Sequence, residues 1–119
     1  MSFLTKNVAQ NLLYFLKKVH LPPGIWNQFL LEHDAVKHMF FMEVENAKIA
    51  LFYSKTGDVF RLEYIKVPPN LQRRGFGRIL AKETFKYIAM NNYKMSISCR
   101  FIKKIFEENK GDYKQFYIE

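Results

Sequence analysis

The sequence predicts an α+β fold in which an antiparallel meander of strands precedes a βαβ crossover. Three segments rich in β-branched and aromatic residues are separated by the turn signals Glu45-Asn46 and Lys55–Asp58. A stretch of helical periodicity then leads into a short fourth strand, and a strand reached across a helix runs parallel to the strand that precedes the helix. The predicted strands are residues 38–44, 47–54, 59–67 and 95–99.

The composition is that of one small globular domain. The chain has 119 residues, of which 49% are hydrophobic and 17% aromatic, and this content excludes full disorder. No apolar run approaches 18 residues, which excludes a membrane-spanning helix. The single Cys99 excludes an internal disulfide framework, and the three histidines lack metal-ligand spacing, so we expect no metal. We therefore expect an intracellular protein, cytoplasmic in the first instance.

The excess positive charge is concentrated in one part of the chain. Lys and Arg number 19 against 11 Asp and Glu, a net charge of +8. Residues 71–104 contain nine bases and one acid, which accounts for the whole excess. This distribution indicates an anionic partner, which can be a nucleic acid, a membrane surface or a phosphorylated small molecule. The alternative interpretation is a solvated helix face.

The first thirty residues form a basic amphipathic extension. They include Lys6, Lys17 and Lys18 and no acid, and their helical periodicity ends at Pro22-Pro23-Gly24. Three interpretations stay open: a mitochondrial targeting segment, a helix on a surface or membrane, or a helix packed on the domain. We expect the folded domain to occupy residues 31–119.

The third strand and the elements after it have clear boundaries. Strict alternation in 59–67 predicts Phe60, Leu62 and Tyr64 on one face of the sheet, opposite Arg61, Glu63 and Ile65. Prolines 68 and 69 end this strand, because neither has an N–H to donate. A long helix follows and stops at Asn91-Asn92, a second helix covers 101–108, and we expect the aromatic tail 112–119 to dock on the sheet.

Residues 72–77, between the third strand and the long helix, predict an anion site. The first N–H groups of a helix have no intrahelical partner, and the helix dipole adds positive charge there. Gly75 and Gly77 allow close approach of a phosphate, and Arg73 and Arg74 add full charges. The spacing fits neither a P-loop nor GxGxxG. A tight turn with solvated arginines is the alternative.

The same residues resemble a known family. Gln-Arg-Arg-Gly-Phe-Gly, after Ile-Lys-Val-Pro-Pro, is similar to the acetyl-CoA pyrophosphate loop of the GNAT superfamily of N-acyltransferases. The resemblance covers about residues 31–117 and extends to the small single-domain branch that includes the N-acetyltransferase domain-containing protein 1 family. The stretches that carry it are Leu-Glu-His-Asp (31–34), Val-Pro-Pro (67–69), Arg-Gly-Phe-Gly (74–77), Ser-Cys-Arg-Phe-Ile (98–102) and Phe-Glu-Glu-Asn (106–109).

This resemblance implies a compact GNAT-like fold with a central V-shaped mixed sheet, and acetyl-CoA as cosubstrate. The backbone at the end of the third strand would pair with the pantetheine arm, and the N–H groups of the loop would hold the pyrophosphate. Residues 96–99 would diverge from the third strand and open the slot for the thioester. The implied cofactor-binding residues are Ile65, Lys66, Val67, Gln72, Arg73, Arg74, Gly75, Phe76, Gly77, Arg78 and Ser98.

Three residues are candidates for the reaction. The resemblance implies that Cys99 is an acyl acceptor or catalytic group, and its position before Arg100 at a helix N-terminus would lower a thiol pKa; the alternative is a core cysteine. Glu63 is a candidate base, although Arg61 stands at the usual register; the alternative is a solvated strand glutamate. Tyr64 is a candidate acid or pocket wall, although the branch often has His-Thr where this chain has Tyr64-Ile65; the alternative is core packing. For His33 and His38 we expect structural roles.

Two functions from different classes therefore follow from the sequence. The first is an N-acetyltransferase that moves acetyl from acetyl-CoA to a protein lysine, an N-terminus or a small amine. The second is a non-catalytic acyl-CoA-binding or interaction module with the same fold. Nucleic-acid binding through residues 71–104 is a weaker third interpretation, because no RNA- or DNA-binding signature accompanies the charge.

Overall fold

We describe residues 30–119 of a computed structural model of the chain. The basic extension, residues 1–30, therefore lies outside the described residues except for Leu30. The strands are β1 (Glu32–Asp34), β2 (Met39–Val44), β3 (Ala47–Thr56), β4 (Val59–Lys66) and β5 (Lys94–Ile97). The α-helices are α1 (Phe76–Met90), α2 (Arg100–Glu108) and α3 (Lys110–Tyr113), and short 3-10 turns cover Pro69–Leu71 and Lys114–Phe116.

The five strands form one mixed sheet in chain order. Strands β1 to β4 pair antiparallel, and β5 pairs parallel with β4. Helix α1 connects β4 to β5, so both the meander and the βαβ crossover are confirmed. Strand β1 was not predicted, because its three residues are too few to show a period. It pairs with β2 from Glu32 opposite Phe41 to Asp34 opposite Met39.

The turns explain how the meander folds back on itself. Glu45 and Asn46, between β2 and β3, have φ values of 51° and 64°. Two consecutive left-handed residues match the twist of the flanking strands, which is why two-residue hairpin turns favour this conformation. Gly57, between β3 and β4, has φ of 61°. Both predicted turns are confirmed.

A β-bulge in β4 overturns the predicted face pattern of this strand. Tyr53 lies opposite Leu62, and Phe52 lies opposite Tyr64, so Glu63 is an extra residue without a partner on β3. Beyond the bulge the alternation is reversed. Tyr64 is 50% exposed and does not share the buried face of Leu62. Ile65, predicted on the other face, instead pairs with the buried Leu51 and packs against the core.

The helices pack on the sheet through one hydrophobic core. This core joins the inward side chains of β2, β3 and β4 to those of α1 and α2. Phe85 of α1 and Phe106 of α2 meet edge to face with 5.7 Å between ring centroids. Asn91 caps the end of α1 and Asn92 has φ of 59°, which confirms the predicted stop.

The aromatic tail docks at the edge of the sheet, as predicted. Tyr117 forms a parallel bridge with Met95 of β5, and the N–H of Ile118 donates to the carbonyl of Met95 at 2.8 Å. The Tyr117 ring stacks on Phe106 with centroids 4.7 Å apart. The tail therefore covers the outer edge of β5 and the flank of α2.

Candidate functional site

Strands β4 and β5 part halfway along β4. Their pairing runs from Val59 opposite Lys94 to Leu62 opposite Ile97, and the last bond is the N–H of Ser98 to the carbonyl of Leu62 at 3.0 Å. Beyond this bond β4 continues to Lys66, whereas the segment that follows β5 turns into α2. Among residues 30–119, no strand pairs with this edge of β4 past Leu62. The result is a V-shaped opening, as predicted, but the predicted start at Ser96 is wrong: Ser96 and Ile97 still pair with β4, and the strands part only at Ser98.

The loop from Val67 to Gly75 is anchored at its start. Pro68 to Leu71 form a tight turn, closed by the N–H of Leu71 donating to Pro68 at 2.9 Å, and Leu71 is fully buried. The Gln72 side chain folds back and donates through Nε2 to the carbonyl of Val67 at 3.0 Å. Gln72 therefore braces the loop against the end of β4.

The second half of the loop contains two left-handed residues just before the helix begins. Arg73 has φ of 63° and Gly75 has φ of 86°, both in the left-handed region. Helix α1 begins at Phe76, and its first backbone bond runs from the N–H of Ile79 to the carbonyl of Gly75 at 3.1 Å. The amides of Gly77 and Arg78 precede that bond, at the helix end where amides lack intrahelical acceptors. Alternating left- and right-handed residues before a helix form a concave, anion-binding array of amides.

Gly77 has a packing role in addition to the predicted one. A Cβ at this position would lie 3.3 Å from the Phe101 ring of α2 and 3.6 Å from Cγ2 of Val67. The start of α1 therefore touches both the end of β4 and the first turn of α2. These three chain segments meet at the opening between β4 and β5.

Three arginines lie in the loop or in the first turn of α1, and two of them are paired with carboxylates. Arg74 contacts Glu45 of the β2–β3 turn, with Nη2 to Oε2 at 2.6 Å, and Arg78 contacts Glu108 at the end of α2. The Arg74 hydrogen bond lowers the pKa of Glu45 and raises the pKa of Arg74. Within the described part of the chain, Arg73 makes no ion pair. The two acidic partners lie 29 and 30 residues from the arginines, and no local motif predicts them.

The bulge places two candidate reaction residues next to the opening. Glu63 is half-buried and accepts a hydrogen bond from the Ser54 hydroxyl at 2.9 Å. Tyr64 stacks on Phe52 with centroids 4.8 Å apart. Tyr64 is therefore not a core residue, whereas a core position was the alternative prediction.

Cys99 stands at the start of α2, immediately after the parting of the strands. It is the residue that precedes the helix, and its carbonyl accepts from the N–H of Lys103 at 2.9 Å. The cysteine is free and half-buried, and it packs against the edge of the core. Ser98, beside it, also donates its hydroxyl to the carbonyl of Leu62 at 3.4 Å.

A polar groove of about 340 Å³ lies beside the parting strands. The ammonium group of Lys103 in α2 lies 5.4 Å from the ring centroid of Tyr117 in the tail, and its interaction with Tyr117 raises the pKa of Lys103. The groove is lined by Arg61, Ser96, Ile97, Lys103, Tyr117 and Glu119.

His33 has the structural role that was predicted. Its Nε2 lies 2.6 Å from the Tyr53 hydroxyl, and its Nδ1 lies 3.4 Å from the Tyr87 hydroxyl. The imidazole stacks on Phe40 with centroids 4.3 Å apart, and burial lowers its pKa. Burial also raises the pKa of Tyr53 to about 12. This cluster ties β1 to β3 and α1, at the opposite edge of the sheet from the opening.

Residues 30–119 contain neither a candidate metal site nor a candidate membrane-spanning helix. No group of three His, Cys, Asp or Glu side chains is placed to hold a metal ion. No helix in this part of the chain is long and apolar enough to cross a membrane.

Comparison with known proteins agrees with this geometry. The solution structure of a GCN5-like protein from Staphylococcus aureus, named as a candidate N-acetyltransferase, superposes with a TM-score of 0.56. It is 21% identical, and the match covers 76% of this chain and 89% of that one, so it confirms the fold. The search of curated proteins found no match. The family model for GCN5-related N-acetyl-transferases matches residues 39–116. The chain therefore belongs to the GCN5-related N-acetyl-transferase family.

Proposed function

We propose that this protein binds acetyl-CoA and transfers the acetyl group to an amine. The observation that carries the proposal is the parting of β4 and β5 beside the start of α1. Among the described residues, 30–119, it leaves the edge of Glu63–Lys66 without a pairing strand, next to an array of helix N-terminal amides. An extended amide-containing arm suits the first of these features, and a phosphate group suits the second.

The residues present fit a coenzyme A ligand. In the proposal, the backbone of Ile65, Lys66 and Val67 pairs with the pantetheine arm. The amides of the loop, Arg73 to Arg78, hold the pyrophosphate. The left-handed conformation of Gly75 supports this assignment, because it turns the chain into the helix without a side chain in the concavity. Gln72 braces the loop through the hydrogen bond from its side chain to the carbonyl of Val67.

The reaction needs a neutral amine, a polarised thioester carbonyl and a proton for the departing thiolate. We assign Glu63 as the base that takes the amine proton, because it lies on the stretch of β4 that borders the opening and its half-buried carboxylate is held by the Ser54 hydroxyl. We assign Tyr64, exposed on the same segment, as the proton donor. Cys99 is the candidate acyl acceptor, and its half-buried packing is the reason to test it separately.

Incubation with acetyl-CoA labelled in the acetyl group tests the function. Label on Cys99, found by mass spectrometry, would support an acyl-enzyme. Label on an added amine in a Cys99→Ala variant would support direct transfer. Binding without transfer of label would leave the non-catalytic module. Absence of both calorimetric heat and thermal stabilisation at millimolar acetyl-CoA would contradict any acyl-CoA function.

The assigned base has a matched control on β2, two strands away. We expect Glu63→Gln to lower kcat by about 10²-fold or more, the usual contribution of a general base, with little change in acetyl-CoA affinity. Glu43→Gln removes an exposed glutamate from β2 and should leave kcat unchanged. Equal kcat values for Glu63→Gln and the wild type would remove Glu63 from the mechanism.

The non-catalytic acyl-CoA-binding module is the second candidate. Arg61 stands where many family members carry the base, and Tyr64-Ile65 replaces the His-Thr of the small branch. We also propose that the chain belongs to this small branch, which includes the N-acetyltransferase domain-containing protein 1 family. The residue stretches that carry the family resemblance support this membership.

For location we propose the cytoplasm, with mitochondria as the alternative because residues 1–30 are basic and contain no acid. Removal of residues 1–30 and imaging of the tagged protein would separate the two. A change of compartment would show that the extension is a targeting segment.

A further inference from the structure

Two carboxylates from distant parts of the chain hold the arginines of the proposed pyrophosphate loop. Glu45 engages Arg74 as a fork, with oxygen-to-nitrogen distances of 2.6 and 3.3 Å. Glu108 engages Arg78. The first partner comes from the β2–β3 turn and the second from the last residue of α2, so the carboxylates approach from different elements.

These ion pairs reduce the charge that the loop offers to an anion. Arg73, Arg74 and Arg78 carry three positive charges, and the two carboxylates neutralise two of them. The four paired side chains are all between 43% and 52% exposed, so the pairs are solvated and exchange readily. The guanidinium fork that accepts a carboxylate also fits a phosphate, which carries more charge.

We propose that Glu45 and Glu108 set the anion affinity of the loop by competing with the ligand's phosphate groups for Arg74 and Arg78. This inference rests on the proposed acyl-CoA function. When the phosphates of the ligand bind the arginines, the released carboxylates stay close to the phosphates and repel them. Both carboxylates therefore weaken ligand binding. The competition also favours ligands with more phosphate charge, because these displace a carboxylate more effectively.

Substitutions that remove the negative charge of each carboxylate and keep its shape test the competition. We would titrate the full chain and the Glu45→Gln, Glu108→Gln and double variants with CoA and 3′-dephospho-CoA by calorimetry. Each single variant should bind CoA roughly three- to tenfold more tightly at low salt, with a smaller gain at high salt. The gain should be smaller for 3′-dephospho-CoA.

Two controls remove the same charge elsewhere. Glu43→Gln alters an exposed residue near the β2–β3 turn. Glu107→Gln alters the residue before Glu108, and Glu107 itself pairs with Lys110 at 3.8 Å. Both should change CoA affinity less than twofold. The melting temperature of every variant should stay within about 2 °C of the wild type, because exposed ion pairs contribute little to stability.

Weaker binding by Glu45→Gln and Glu108→Gln would show that the carboxylates position the arginines, and would overturn the competition. Affinities equal to those of the controls would also overturn it. If the wild type binds no CoA, the proposed function fails, and inorganic pyrophosphate then tests the loop alone. Tighter binding of pyrophosphate by the double variant than by the wild type would still support competition, and unchanged binding would end it.

Discussion

Single residues decide the shape of the candidate site, and each does so for its own reason. Arg73 and Gly75 adopt left-handed backbone, at φ of 63° and 86°, whereas Gly77 is constrained by packing, because a Cβ there would lie 3.3 Å from the Phe101 ring. The sequence predicts glycine at both positions from one cause, close approach of a phosphate. The structure separates a conformational requirement from a packing requirement.

Gly75→Ala tests the conformational requirement. No atom would meet the added methyl group, so the expected loss of about 1 kcal/mol in unfolding free energy comes from the positive φ alone. Gly111→Ala is the matched control, since it also has open space but ordinary φ, and should be neutral or slightly stabilising. Equal denaturation midpoints for Gly75→Ala and Gly111→Ala would contradict this account.

His33 gives a residue-scale prediction on pH. Burial lowers its pKa below the usual 6.5, so the unfolded chain binds more protons than the folded one just below that pH. Stability should therefore fall as the pH drops from 6.5. In His33→Gln the fall between about pH 7 and pH 5 should be smaller, as measured by urea unfolding at both values. His38→Gln, at an exposed histidine, should keep most of the wild-type fall, because the charge of His38 is the smallest of the causes that lower the pKa of His33. Identical falls in wild type and His33→Gln would contradict the prediction.

At the scale of elements, period and turn chemistry predict most of the sheet, and two local events escape them. Strand β1 has three residues, and its pairing with β2 shows only in three dimensions. The bulge at Glu63 is invisible because the residues around it keep a regular alternation in sequence. What breaks the register is the pairing with β3. The opening between β4 and β5 is predicted, but it begins at Ser98 rather than at Ser96, because the parallel pairing continues to Ile97.

The docked tail provides the prediction for elements. Tyr117 joins β5 through its bridge to Met95 and joins α2 by stacking on Phe106. We expect Tyr117→Ala to lower the unfolding free energy by about 2 kcal/mol, through lost apolar burial and lost ring stacking. Ile118→Ala, at the exposed next residue, should cost less than about 0.5 kcal/mol. A similar small cost for both variants would show that the tail does not contribute to the fold.

At the scale of the whole molecule, charge is the property that the sequence predicts only in part. The nine bases of residues 71–104 are correctly placed at the start of α1 and along α1, β5 and α2. The acidic residues that pair with these bases could not be predicted, because only the fold brings Glu45 and Glu108 next to Arg74 and Arg78. The net charge of the chain is positive, but the positive charge at the loop is smaller than the sequence suggests, because carboxylates neutralise Arg74 and Arg78.

Salt dependence tests the role of this charge. Raising the salt from about 50 to 200 mM shortens the screening length and should weaken binding of CoA several-fold. Pantetheine lacks phosphates, so its weaker binding should be nearly independent of salt. Calorimetric titrations of both ligands would measure the effect. A CoA affinity that does not change with salt would contradict an electrostatic role for the basic region.

The central claim, that the strand opening and the amide loop form one acyl-CoA site, is tested most directly by a nitrogen-15 NMR titration of the full chain with acetyl-CoA. The account predicts that the largest chemical-shift changes fall on the amides of residues 65–67, 73–78 and 98–99, where β4, α1 and α2 meet. No shift at millimolar acetyl-CoA, or shifts centred on β1 and β2 at the other side of the sheet, would contradict it.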